Sequence, residues 1–518
     1  MLIRSRIHHI TSKSLLLAGA LSVSVWASCD SLWKDFTIST APQDPCKNAM
    51  CAAYQVCNST SGACESTPLR FDGITPTTGS LYGGTQVTIK GAGLASDTAA
   101  KFGGLLIDGP VFDKTGNVLS GIAPKPTQSL RCRMPVDVEL SNPRGDKIAK
   151  TAAFTYLFEP FTSNSFLPLG AVSSPVNKIL VGNLDQDTNM WPDLLFRTET
   201  GVLLARNIGT TIAMPDQVYS PAPSHLVIAQ SGPPTTGMSS APYIVLGFAA
   251  NHQVKLLQYY NGLVTENSFD SIYPLLAMTT ADLDRDGLDE VIYAASKPGT
   301  QSSELYVLHR ANLGSGFGRV GPFPVPNIVA GIAGVDLGGD PNLELVLTSS
   351  SSSDLTIFGW DGTKTLPVSI PLAVPGIMFG QVISADLDGD KKNDLAFLST
   401  QANTSATLVV ALNRPTRWDS LTFPIPDLIG TPDTELSTYD MNCDGIQDIL
   451  INQFGPNPKT LFFYSGGNGT FTPKPPQSTQ PNGALAVADI NGDGFPDLLI
   501  GRNVLNSNSM LSIAPGNK

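Results

Sequence analysis

Four short stretches of the 518-residue chain place oxygen-bearing side chains at spacings close to D-x-[DN]-x-D-G-x-x-[DE]. They are Asp282, Asp284, Asp286 and Glu290; Asp386, Asp388, Asp390 and Asp394; Asp440, Asn442, Asp444 and Asp448; and Asp489, Asn491, Asp493 and Asp497. In such a loop the first, third and fifth side chains converge because the chain curls tightly, and the ninth carboxylate returns to complete an all-oxygen shell. That donor set suits Ca2+. Magnesium demands tighter octahedral geometry and retains water, while zinc or copper would need nitrogen or sulfur ligands that these loops lack. Two further loops are weaker matches. The one at Asp336 keeps Asp340 and Glu344 but has Gly338 at its third position. The one at Asn183 has Asp185 and Asp187 but spaces its last acid, Asp193, two residues late. The stretch from Gln230 to Ser240 has no acid, so no ion is expected there.

Something must hold these loops in register. They recur with a period near 50 residues, beginning at Asn183, Gln230, Asp282, Asp336, Asp386, Asp440 and Asp489, and each lies between two apolar runs. The clearest unit is Leu485-Ala486-Val487-Ala488, then the acidic loop, then Leu498-Leu499-Ile500. Further runs follow at Leu305–Leu308, Leu355–Phe358, Leu408–Ala411 and Leu461–Tyr464, commonly leading to a Gly-x-Phe step such as Gly469-Thr470-Phe471. Four strands per unit describe a propeller blade. The last unit stops one strand short after Ile513, and the segment from Phe161 to Leu169 resembles that missing outer strand, so the reading is a closed ring of seven blades. Asp/Asn/Gly clusters are also ordinary turn formers. Four matching loops in register count against that explanation, and β-type flanks count against EF-hand or dockerin loops, which adjoin helices.

Phe379-Gly380 followed by Asp386-Leu387-Asp388-Gly389-Asp390 resembles FG-GAP/VCBS repeats of integrin-type propellers, and the likeness runs from about Phe158 to the C-terminus. It implies calcium sites that stiffen the blades on one rim. Upstream, Ile74-Thr75-Pro76, Gly83-Gly84-Thr85, Val87-Thr88-Ile89, Phe102-Gly103-Gly104 and Phe154-Thr155-Tyr156 resemble an IPT/TIG domain, an immunoglobulin-like β-sandwich. Cys46, Cys51, Cys57 and Cys64 fall within a stretch too short to bury a core, and it resembles the front half of an EGF-like module. Two disulfides are expected among them, with the pairing open among three choices. Cys132 reads as a lone buried thiol, and Cys443 as a thiol dulled by the acids around it.

The chain opens with Arg4, Arg6 and Lys13 before an apolar run from Leu15 to Ala27, too short to span a bilayer and typical of a secretory signal. Val25-Trp26-Ala27 suits ordinary signal peptidase. Ser28-Cys29 also resembles a lipobox, which would acylate Cys29 and explain why seven cysteines leave one over. The expected organisation is all-β: 1–28 signal peptide, 29–68 anchor and disulfide-rich segment, 69–158 sandwich, 159–518 propeller. A formal net charge of −12 disfavours nucleic acid and anionic membrane surfaces as partners. No nucleophile elbow, zinc-protease helix, P-loop or dinucleotide fingerprint occurs, so no catalytic residue is assigned. The expectation is a monomeric, exported, cell-surface calcium-binding protein that engages an extracellular protein or glycan. A secreted carbohydrate-active enzyme and a passive envelope scaffold are the alternatives.

Overall fold

The computed structural model describes residues 44–514 apart from 53–54, 128–131, 159–166, 173, 185–190, 208–211, 231–241, 261–262, 311–315, 338–341, 361–364, 371–373, 375, 401–404, 415–416, 427, 429–433, 454–458, 475–482 and 505–507. The signal segment, Cys29, Asp185, Asp187 and Asp340 therefore lie outside the described residues, as does most of the segment from Phe161 to Leu169. Among the described residues there is no helix.

Seven four-stranded antiparallel sheets follow one another along the chain. Their innermost strands are Val176–Gly182, His225–Ala229, Leu275–Ala281, Val329–Val335, Ile377–Ala385, Thr434–Tyr439 and Gly483–Ala488, and each packs beside the next until the last meets the first. The second strands read as continuous apolar runs because both of their faces are covered by neighbouring blades. Glu290–Ser296 is buried at six of its seven positions, and Asp448–Gln453 at all six. The ring closes as expected: Leu167–Val172 pairs antiparallel with Asn508–Ala514 and supplies the outer strand of the seventh blade. Its N-terminal strand thus covers an edge that would otherwise be open.

The sandwich is built from a sheet ordered Arg70–Thr75, Gln86–Ala92, Val118–Ile122, Asp108–Phe112, packed on one containing Thr78–Ser80, Lys147–Leu157, Arg133–Ser141, Ala99–Phe102 and Leu105–Leu106. Alternation in Gln86–Ala92 sends Val87 and Ile89 inward to meet Leu119, Val138, Leu140, Phe154 and Tyr156. In the cysteine-rich segment the pairs are Cys46–Cys57 and Cys51–Cys64.

The remaining cysteines correct the sequence reading. Cys132 is not a lone thiol and Cys443 is not free: they form a disulfide between the sandwich and the loop of the sixth blade, 311 residues apart, with Cα atoms 5.6 Å from each other. Nothing local in the sequence announces such a pair. Arg133 reinforces the junction by donating from its guanidinium to the Asp444 carbonyl. Phe495, in the loop of the seventh blade, enters the sandwich core and meets Phe158 edge-on, ring centroids 5.3 Å apart. Phe495 is 1% exposed, and truncating a buried aromatic leaves a cavity in an interior that cannot collapse onto it. Phe495→Ala should therefore cost about 3–4 kcal/mol, measurable by denaturant unfolding, with calcium present throughout.

Candidate metal centre

Every acidic loop joins the innermost strand of its blade to the second strand, so all of them lie on one rim. A common device builds them. The last acid of the loop turns back, and one of its oxygens accepts the amide of the second loop residue. Glu290 accepts Leu283 N at 2.8 Å, Asp394 accepts Leu387 N at 2.9 Å, Asp448 accepts Met441 N at 2.9 Å and Asp497 accepts Ile490 N at 3.1 Å. The two weaker loops share it: Glu344 accepts Leu337 N at 3.0 Å, and Asp193, despite arriving two residues late, accepts Leu184 N at 2.8 Å. The other oxygen often ties down the third strand, as where Asp394 accepts Asn413 N and Asp448 accepts Ser465 N, each at 2.8 Å. The sequence signal for this role is an apolar residue at the second position of all six loops, Leu184, Leu283, Leu337, Leu387, Met441 and Ile490.

The first, third and fifth residues shape the turn. In the third blade Asp282 accepts Gly287 N at 2.9 Å, Asp284 accepts Asp286 N at 3.3 Å and Asp286 accepts Leu288 N at 2.8 Å. The sixth and seventh blades repeat the pattern, with Asp440 accepting Gly445 N at 2.8 Å and Asp489 accepting Gly494 N at 2.8 Å. The sixth position must adopt positive φ, which glycine does at no steric cost: Gly287, Gly445 and Gly494 stand at 87°, 90° and 82°. The fifth blade departs from the pattern, with Lys391 there at φ 68°.

The structure brings the third-blade set together. Single oxygens of Asp282, Asp284 and Asp286 all lie within 4.8 Å of one another, and Asp284 and Glu290 share a second such group with His309. Asp282 Oδ1 is buried with no hydrogen-bond partner, and so is Asn183 Oδ1, which occupies the first position of the first-blade loop. An orphaned oxygen inside an oxygen-only cluster is what a hard cation would satisfy. In the fifth blade Asp386, Asp388 and Asp394 also converge within 4.8 Å, but Arg414 approaches them: its Nη1 lies 2.5 Å from Asp388 Oδ2 and 3.8 Å from Asp390. The fourth-blade loop is likewise met by a cation, since Arg285 from the third-blade loop pairs with Asp336.

Burial raises the carboxyl pKa values of three ninth-position acids, Asp448, Glu290 and Asp394, where solvation of the charged form is lost. Asp448 is pushed up to about 8, Glu290 to about 7 and Asp394 to about 6, each by burial first. Neighbouring acids push in the same direction. Asp444 raises Asp448, and Asp284 raises Glu290. A bound cation would reverse both contributions. Because Arg414 competes for the fifth-blade acids, Arg414→Gln should tighten that loop's calcium affinity by about tenfold, read by calorimetric titration.

Two family models match. An FG-GAP-like repeat covers residues 440–500, from the start of the sixth-blade loop through the seventh-blade loop, and an IPT/TIG domain covers residues 69–138. The chain carries an IPT/TIG domain and an FG-GAP-like repeat. No curated protein matches this FG-GAP- and TIG-containing chain. Among solved structures, the Dos1 propeller is 10% identical, with a TM-score of 0.40 over 86% of this chain and 95% of its own. A triple mutant of AofleA from Arthrobotrys oligospora is 12% identical, with a TM-score of 0.38 over 58% of this chain and 87% of its own. A protein from Bacteroides uniformis described provisionally as a 6-phosphogluconolactonase is 10% identical, with a TM-score of 0.40 over 64% and 90%. The seven-blade count rests on the chain's own strand pairing.

Proposed function

We propose that the protein is an exported, calcium-stabilised binding or adhesion module, anchored through an acylated Cys29, whose propeller engages an extracellular protein or glycan. The carrying observation is the third-blade loop, where a buried, unpartnered Asp282 Oδ1 belongs to a loop whose Asp282, Asp284 and Asp286 oxygens converge, with His309 approaching only the adjoining Asp284 and Glu290 group. Calcium in this reading is structural: it balances acids that would otherwise repel one another and fixes the rim on which the sandwich is docked. Three disulfides support an oxidising location. Binding of the calcium-loaded protein to arrays of glycans and cell-surface proteins, repeated with chelator, tests the function. Retention on one ligand class that chelator abolishes is expected. Failure to bind any of them, together with turnover of a polysaccharide, would replace the binding module with an enzyme. Anchoring has its own test: Cys29→Ser should release the protein from the membrane fraction, and unchanged association would end that part of the reading.

A further inference from the structure

Away from the acidic rim, the innermost strands enclose a cavity of 640 Å³ on the propeller axis. Its lining carries Lys178 and Arg197 from the first blade and Glu435 from the sixth; burial pushes the Lys178 pKa down and the Glu435 pKa up, and each partner acts against the other's shift. The fourth ionisable group, His225, is neutral there. Its Nε2–H donates to the Leu276 carbonyl at 3.1 Å, and burial holds its pKa down at about 4.

Lys178 and Arg197 stand directly opposite each other on adjacent antiparallel strands. Like charges in such a pair repel, and the chain as a whole is acidic, so the placement is not a by-product of a basic composition. The acid that could neutralise them stands off: Glu435 Oε1 is 3.9 Å from Lys178 Nζ, beyond hydrogen-bond length. With its amide oriented to suit both neighbours, Gln381 accepts from Lys178 Nζ at 3.2 Å and donates to the Leu436 carbonyl at 3.1 Å. Arg197 donates one N–H to the Ser224 carbonyl at 2.5 Å. A guanidinium has five donors and stays protonated, so most of its capacity is left over. Arg197 therefore leaves the cavity wall with a positive charge, and Glu435 beside it has, among the described residues, no donor closer than Lys178 Nζ at 3.9 Å.

We propose that this axial cavity binds a small organic carboxylate that also carries a hydroxyl or ammonium donor. The ligand's carboxylate would be held between Lys178 and Arg197, and its donor would be taken by Glu435. The planar fork of Arg197 suits a carboxylate better than a spherical anion. The volume fits a molecule of monosaccharide or amino-acid size. This site is independent of the calcium loops, which lie on the rim.

The test is calorimetric titration of the calcium-loaded protein with glucuronate, glutamate, acetate, glucose and chloride. Binding of glucuronate or glutamate, with acetate weaker and glucose and chloride silent, is expected. Glucuronate against glutamate separates a sugar-acid source from an amino-acid one. The decisive arm is a pair of variants with opposite signs. Arg197→Gln should weaken carboxylate binding by about tenfold, while Glu435→Gln, which removes the competing negative charge, should leave simple acetate binding stronger by a similar factor. A thermal melt of each variant with calcium reports whether it is folded, and a merely structural role for Glu435 would not strengthen acetate. No binding of either acid at tens of millimolar, equal binding of chloride, or a shift of both variants in the same direction would overturn the proposal.

Discussion

Adding millimolar calcium to the metal-free protein should raise its unfolding midpoint by about 20 °C. A ligand that binds only the native state contributes about 2–3 kcal/mol per site at a free concentration about 100 times its Kd, and each kcal/mol moves a large domain by about 2 °C. Four loops together then give the expected size. The pH dependence fixes the sign independently. Burial raises Asp448, Glu290 and Asp394 to about 8, 7 and 6 in the folded, metal-free state. Acids with raised folded values take up protons on folding, so this contribution favours the native state at low pH and is lost as pH rises from about 4 through about 8. Metal-free protein should therefore melt at a lower temperature at pH 8 than at pH 5. Calcium requires the deprotonated acids, so its stabilisation should grow over the same interval. Paired melts at the two pH values, with calcium and with chelator, check both statements. A calcium effect larger at pH 5 would be inconsistent with carboxylate ligation.

The second large effect belongs to the junction. Replacing Cys132 and Cys443 by serine opens a loop of 311 residues, and the chain-entropy account of cross-links gives a loss of about 5 kcal/mol for a loop of that size, an upper figure because denatured chains keep some structure. Cys443 also holds the fourth position of the sixth-blade loop at φ 59°, a conformation that only a few non-glycine residues adopt. Freed from Cys132, the loop loses a constraint on that backbone, so its calcium affinity should fall along with stability. The double-serine variant should unfold at lower denaturant concentration, and chelator should then separate sandwich from propeller in small-angle scattering. A variant as stable and as compact as the parent would show that Phe495 and Arg133 alone hold the junction.

Much of this architecture was legible in the sequence, and the reason is periodicity. A blade is a local object, so its strands, its loop and even the outer strand missing from the last unit leave marks within about 50 residues of one another. What was hidden depends on distant pairing. The Cys132–Cys443 bond and the entry of Phe495 into the sandwich core depend on where a sandwich strand comes to rest on the rim. The approach of Glu435 to Lys178 depends on ring closure, and the pairing of Lys178 with Arg197 depends on a register shift after Val176. Within the loops, spacing identified the candidate ligands, but it made Asp193 look misplaced, when the structure puts it in the role filled by Asp394 and Asp448. Spacing also could not reveal that Arg414 leans into the fifth-blade acids.

The most direct test of the central claim is a metal count. The protein would be stripped with chelator, re-equilibrated in millimolar calcium, dialysed against calcium-containing buffer and analysed by plasma emission, alongside Asp282→Asn and Asp448→Asn variants. The account predicts about four calcium ions per chain, with about one lost in each variant and no zinc or magnesium retained. A calcium content indistinguishable from that of the buffer would contradict it and leave the acidic loops as turns.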